Sequence, residues 1–329
     1  MNIGDRKRFS EEVLNKLRTE LDSRLAERLG EEPESVTIYV TGFFGRLEAS
    51  PYSDVDAFIA GHAGSSQRTI SRLDEISLKA DLIAAVKAMD LPEFDGDGDY
   101  LHYYSSGDLL EGIGRRTDDH DNTSTARLLL LLESRPLMGA RAYLEVRDEV
   151  IAEYWRDYER HKGEFSPIFL INDILRFWRT LCVAYEMRTT LRDEDEDAGK
   201  RRLNNYKLKH SRVLTCFSTI LALLAIYRTN GTVTTRDAQR IVGIEPLERL
   251  FEGVDRDNRK LVSALDDARG AYEVFLEHTA IDKHELRQNF RDSKYHHERK
   301  REASNFGDAV YKALMCYEDE GSIFRRVVV

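Results

Sequence analysis

The chain has 329 residues, with 49 Lys and Arg against 59 Asp and Glu, so its formal net charge is −10 and its pI is near 5.5. That balance excludes a duplex-DNA binder held by bulk positive charge, and 41% hydrophobic with 33% charged residues excludes disorder as the dominant state. The apolar runs at 128–132 and 217–227 are shorter than the roughly 18 residues that span a bilayer, so no membrane insertion is expected, and the charged first ten residues predict a cytoplasmic protein.

In chain order, Val13, Leu14, Leu17, Leu21 and Leu25 recur at helical spacing and predict an amphipathic helix over 11–28. The β-branched run 36–40 and the apolar run 55–60 read as strands joined by a glycine-bearing connection over 41–53. Helical periodicity returns over 71–89, and 100–104 reads as a third strand after a turn at 95–99. Beyond Thr123 the pattern is helix after helix: 123–133, 140–161, 167–188, 204–227 and more. The acidic run 193–197 has no apolar face and reads as a loop, and Thr232 to Asp237 offers a Thr cap to a further helix. The last three valines offer an edge strand or a frayed end. Cys182, Cys216 and Cys316 lie far apart in apolar helical contexts, which predicts buried inert thiols. The expected fold class is therefore α+β, with a mixed-sheet domain over 1–135 and an all-helical domain over 136–329.

The stretch that carries chemistry is 40–59. In an extended segment side chains alternate faces, so Asp54 and Asp56 project together while Val55 points away. Two carboxylates on one surface repel unless a cation sits between them, and hard divalent ions prefer such oxygen ligands. Two-metal phosphoryl transfer uses this arrangement. Upstream, Gly42 and Gly45 lack side chains where backbone N–H groups could approach phosphate oxygens, and Arg46 adds a charge beside them. An Asp-x-Asp alone is most often a turn or a solvated strand edge; the ordered set of strand, glycine turn, Arg-x-Glu and Ser-Asp-x-Asp is far more specific.

With Gly42, Gly45, Arg46, Glu48, Pro51, Ser53, Asp54 and Asp56 in this order, the segment resembles the DNA polymerase β-like nucleotidyltransferase superfamily. Within it, the order is similar to the signature of bacterial uridylyltransferases of nitrogen signalling. Phe43 departs, because that superfamily places Gly or Ser there. The resemblance covers about the first third of the chain. It implies that Asp54 and Asp56 hold Mg²⁺, or Mn²⁺ in its place, and that Gly42, Phe43 (through its backbone), Gly45, Arg46 and Ser53 approach the triphosphate. It also implies a third carboxylate from a neighbouring strand. Asp99 is the choice here, whereas Asp97 reads as shaping a turn and His102 competes for the inward position on that strand. Asp118, Asp119 and Asp121 form another acidic cluster, but Asn122 and Thr123 beside them read as a helix cap.

In the helical half, Asn172, Arg176 and Arg179 share one helix face, and Asn205, Lys209 and Arg212 repeat that spacing. Such cations either lie on a wet face, pairing with Asp173 and Glu186, or clamp a triphosphate. Tyr185 and Tyr206 are candidate base stackers, with core packing as the alternative. His296 and His297 point in different directions on a helix and make a poor ligand pair, in a basic patch with Arg291, Lys294, Arg299, Lys300 and Arg301 that suits an acidic strand or partner.

The resemblance extends to stand-alone bacterial anti-phage defence nucleotidyltransferases of the Hailong type. It implies an enzyme with the nucleoside triphosphate in a cleft between its domains. The enzyme would join a nucleoside monophosphate from an NTP or dNTP to a nucleotide acceptor and release pyrophosphate. The product would be a signal nucleotide or a short oligonucleotide, with an effector protein as a further partner. Uridylyl or adenylyl transfer to a protein side chain is the alternative, and a catalytically silent nucleotide-binding scaffold is another.

Overall fold

The computed structural model describes residues 1–29, 35–62, 68–94, 98, 101–190, 198–318 and 322–328. It is an α+β structure of two compact units, Met1–Glu153 and Tyr154–Val329. The sheet lies in the first and has the order β3-β2-β1-β4, with β1 (Val36–Thr41) antiparallel to both β2 (Asp56–Gly61) and β4 (Arg135–Met138), and β3 (Tyr103–Ser105) parallel to β2.

Alternation along β1 and β2 sorts their residues onto two faces. Val36, Ile38 and Val40 join Val55, Ala57 and Ile59 in a core closed by α1 (Ile3–Leu29), whose stripe Val13, Leu14, Leu17, Leu21 and Leu25 is buried. Leu78, Leu82, Ala85 and Val86 reach the same core from α3 (Arg72–Ala88), which starts where the Ser71 hydroxyl accepts from Asp74 N–H. Between β1 and β2 runs a single helical turn, α2 (Gly42–Gly45). The opposite face is aromatic. Tyr39 stacks on Phe58 at 5.4 Å, Phe58 meets Tyr104, and the Tyr39 hydroxyl donates to the Ala126 carbonyl of α6 (Thr123–Glu133). The leucines 128–132 of α6 are all buried, as an all-round apolar helix must be.

α4 (Ser106–Glu111) and α5 (Arg116–His120) precede α6, and α7 (Ala140–Tyr154) closes the unit. Asp118 of the acidic cluster is fully buried against Arg127, oxygen to nitrogen at 2.8 and 2.9 Å, and accepts from the Thr123 hydroxyl. Asn122 takes the cap position with φ 56° but makes no side-chain cap bond.

Strand β4 corrects the expectation of no strand beyond Thr123, and it carries the first unit past residue 135. Proline is tolerated in a sheet only where its missing N–H is not needed, and Pro136 sits on an edge strand opposite Tyr39. Val327 and Val328 are corrected too, since they end the helix Ser322–Val328, and Val329 lies outside the described residues.

The described residues of the second unit form helices joined by turns and irregular segments, with no strand among them. α8 (Ile168–Thr190) is followed by α9 (Ala198–Lys207), a π-helical stretch Leu208–Arg212 and α10 (Val213–Asn230), which together form one helix of 33 residues. This helix is long and apolar enough to cross a membrane, unlike the shorter run read from sequence, but 78% of its apolar window is buried, as in a core helix. α11 (Thr235–Val242) has the expected Thr cap, a reciprocal box between Thr234 and Asp237. α12 (Pro246–Arg249), α13 (Arg259–His278), α14 (Lys283–Asn289), α15 (Ser293–Met315) and α16 (Ser322–Val328) complete the unit. Of the three free thiols, Cys216 is buried while Cys182 and Cys316 are half-buried.

His210, on the π stretch, is fully buried between the rings of Phe275 and Phe306, at 4.6 and 5.3 Å and nearly parallel to both. Its Nδ1 lies 2.9 Å from the Tyr206 carbonyl, and its Nε2 has no hydrogen-bond partner. Burial pushes its pKa down to about 4, against the Tyr206 bond. The folded state therefore binds its proton less readily than the unfolded chain, so the stabilisation from neutral His210 is complete above about pH 6.5 and is lost as pH falls toward 4. We expect a loss of about 3 kcal/mol over that window. Trp155 and Trp178 both lie in this unit, so urea titrations read by tryptophan fluorescence report it. His210→Phe should flatten the pH profile, and an unchanged slope would show that other groups cause it.

Candidate active site

The 42–56 segment is built around one buried guanidinium. Arg46, 3% exposed, donates from Nε to Glu48 Oε2 at 2.7 Å and from Nη1 to Glu133 Oε2 at 2.6 Å, and both carboxylates are buried. The other Glu133 oxygen accepts from the Gly42 N–H at 3.2 Å, so the last residue of α6 ties the start of the glycine turn to its end. From α1, Arg6 donates to the Glu48 carbonyl, and the Ser10 hydroxyl accepts from Ala49 N–H at 2.9 Å. Downstream, Ser50 N–H donates to the Ser53 hydroxyl at 3.0 Å and Ser53 N–H returns to the Ser50 carbonyl at 2.9 Å.

These bonds revise the roles expected of several residues. Arg46 faces inward onto two carboxylates, and Ser53 is buried in the turn that aims Asp54. Gly42 has φ +64°, and a Cβ there would lie 2.7 Å from Asp56 Oδ2. Its missing side chain makes room for the Asp56 carboxylate, and its N–H is taken by Glu133. Gly45 is needed for packing, since a Cβ would stand 2.0 Å from the Glu133 carbonyl oxygen. Phe43 is half-buried against the core, with the Arg46 guanidinium 5.0 Å and the Arg6 guanidinium 5.9 Å from its ring centroid.

Asp54 and Asp56 are half-exposed, while Ser53, Val55 and Ala57 between and beside them are buried. Asp56, the first residue of β2, pairs with Thr41 at the end of β1 on the aromatic face of the sheet, and the alternating burial over 53–57 leaves Asp54, just before the strand, half-exposed as Asp56 is. Asp99 and Asp97 lie outside the described residues, and among the described ones no three His, Cys, Asp or Glu side chains group as metal ligands. His102 is exposed and borders a cavity of about 570 Å³ with Tyr104, Asp108, Glu111 and Arg115. Asp108 is committed there to the box that caps α4. The donor set of two half-exposed carboxylates fits a magnesium ion that keeps several waters and takes the rest of its ligands from substrate phosphates.

In the second unit, Arg176 pairs with Asp173 at 2.8 Å, while Asn172 and Arg179 are exposed. Lys209 and Arg212 are half-buried on the π stretch. Burial raises the pKa of the Cys182 thiol, and Arg179 and Lys209 both act on it in the opposite direction. Tyr206 is core, its hydroxyl 3.0 Å from Glu302, and its pKa is raised by burial. Tyr185 is half-buried and bonded to Asn205.

Protein-family models, curated proteins and solved structures give no match to this chain. Glu133, Arg6 and Ser10 were not legible from sequence, since they meet the segment from other helices and no local spacing marks them.

Removing Arg46 leaves two buried carboxylates without their shared cation, so Arg46→Ala is expected to cost about 3–5 kcal/mol. Gly45→Ala, which drives a methyl into backbone, should likewise prevent normal folding of the first unit. Gly42→Ala meets a side chain that can move, and should fold with a loss of about 1–2 kcal/mol from its left-handed backbone. Circular dichroism melts measure all three, since both tryptophans lie in the other unit. A wild-type melt for Arg46→Ala would remove the network from its organising role.

Proposed function

We propose that the first unit is the catalytic domain of a divalent-cation-dependent nucleotidyltransferase, which transfers a nucleoside monophosphate from an NTP or dNTP to the hydroxyl of a nucleotide acceptor. The observation that carries this reading is the half-exposed pair Asp54 and Asp56 beside a turn whose glycine leaves room for the Asp56 carboxylate. A solvated strand edge needs no such room, and it needs no buried ion network behind it. Phe43 fits the reading because its ring lies against the core and the two arginines, so the departure from a small residue is absorbed by packing.

Asp54 and Asp56 would hold Mg²⁺, which when bound neutralises charge on the triphosphate and the departing pyrophosphate. The chain's own part is positioning: the Ser50–Ser53 turn aims Asp54, Gly42 seats Asp56, and Arg46 with Glu133 fixes the turn between them. In the transfer the acceptor hydroxyl loses its proton, its oxygen bonds the α-phosphorus, and the bond to the β-phosphate oxygen breaks. Arg179, Lys209 and Arg212 are proposed nucleotide contacts in the second unit, whereas Arg176 is held by Asp173.

Asp54→Asn and Asp56→Asn should each fold and lose activity by about two orders of magnitude or more, the scale of removing one electrostatic stabiliser. Pure protein with Mg²⁺ and each labelled ribo- and deoxyribonucleoside triphosphate, followed by chromatography and mass spectrometry, measures both turnover and product. Wild-type turnover in either variant refutes the site. Label found only on polypeptide would replace the nucleotide acceptor with a protein side chain.

A further inference from the structure

The cavity of about 570 Å³ that His102 borders lies wholly within the first unit, walled by β3, α4, α5 and the start of α6. Several of its polar groups are spent on the protein itself. Asp108 takes the Ser105 N–H in the α4 cap, Asp121 Oδ1 lies 2.6 Å from His120 Nδ1, the Tyr104 hydroxyl donates to the Asp121 carbonyl, and the Thr123 hydroxyl is held by Asp118. Four side chains in the wall differ. Those of His102, Arg115, Thr117 and Asn122 are exposed, and among the described residues they make no hydrogen bond or ion pair. Asn122 is also held in the left-handed region, at φ 56°, although its amide caps nothing.

Position and charge decide what the cavity fits. β3 runs parallel to β2, the Ile59 N–H lies 3.4 Å from the His102 carbonyl oxygen to which it donates, and Tyr104 meets Phe58 on the aromatic face. His102 therefore stands one strand over and about two residues along from Asp56, on the order of 8 Å away. Glu133, at the end of α6, binds the Gly42 N–H, and Asn122 precedes the 11 residues of that helix, on the order of 16 Å back. The cavity thus leads away from the Asp56 carboxylate toward α5 and the start of α6, which Asp118 ties together through Thr123. That far end offers the Arg115 guanidinium and the first turn of a helix, and both favour an anion. The donor triphosphate belongs at Asp54 and Asp56, so an anion at the far end belongs to a second molecule. An asparagine amide supplies the adjacent donor and acceptor that a base edge needs, and the volume lies in the range of small-ligand sites.

We propose that this cavity holds the acceptor as a nucleoside monophosphate, its phosphate on Arg115, its base edge on Asn122 and a sugar hydroxyl directed past His102 toward Asp56. The inference rests on the nucleotidyltransferase reading for the use made of the ligand. Binding is measured without metal or donor, so a nucleotide that binds with no transfer defeats that reading alone, and transfer with no such binding defeats the inference alone.

Isothermal titration calorimetry of the full chain in EDTA takes each ribo- and deoxyribonucleoside monophosphate, its nucleoside and inorganic phosphate as titrants. We expect at least one monophosphate to bind, more tightly than its nucleoside and more tightly than phosphate alone. Arg115→Ala should weaken the monophosphate at least about tenfold, the scale of a hydrogen bond to a charged group, and leave the nucleoside unchanged. Asn122→Gly separates binding from a structural role. Glycine suits φ 56°, so this variant should melt no lower than wild type, yet bind monophosphate and nucleoside about fivefold more weakly, the scale of one neutral hydrogen bond. Absence of monophosphate binding, wild-type affinity in either variant, or phosphate alone binding as tightly as the monophosphate overturns the proposal.

Discussion

The first unit depends on a helix with no polar side of its own being held in one place. α6 is buried almost all round, and an apolar cylinder in an apolar core has little to fix its rotation or its axial position. Buried ion pairs do so at both ends. Asp118 and Arg127 pin the start of the helix to the segment before it, and Glu133 pins its end to Arg46 and the Gly42 N–H. Desolvating such charges is costly, and an apolar replacement could match their stability. What they add is register, and the register of α6 is transmitted to the one turn that seats Asp56.

That dependence changes what the glycines mean. Read along the chain, Gly42 and Gly45 look like openings for phosphate. In the structure each opening is already filled by the protein, by a carboxylate at Gly42 and by a helix terminus at Gly45. The same residue types in the same order serve to bring an acid close to a turn and a helix close to a strand. Arg46 shows the same inversion, since a cation beside a phosphate-like turn is here a cation between two glutamates.

How much was legible follows from where each signal lies. The stripe of α1, the two strands, the alternating exposure of Asp54 and Asp56 and the Thr234 cap are local patterns, and a period of two or 3.6 residues states them directly. β4 was hidden because Pro136 argues against a strand until the sheet order makes that strand an edge. Val327 and Val328 favour a strand by propensity, but belong to a helix that packs on α8. Glu133 and Arg6 were illegible for a different reason. Their roles exist only after elements distant in sequence have packed.

Charge separates the units in a way that net charge hides. In the first unit the buried Arg46 and Arg127 are matched by the buried carboxylates of Glu48, Glu133 and Asp118, while Asp54 and Asp56 are half-exposed. In the second, burial lowers the His296 pKa, and Arg202 of α9, Lys209 on the π stretch and Lys300 on α15 act in the same direction. An overall charge of −10 sets the far field, but a ligand within a Debye length, about 10 Å at moderate salt, responds to the local one.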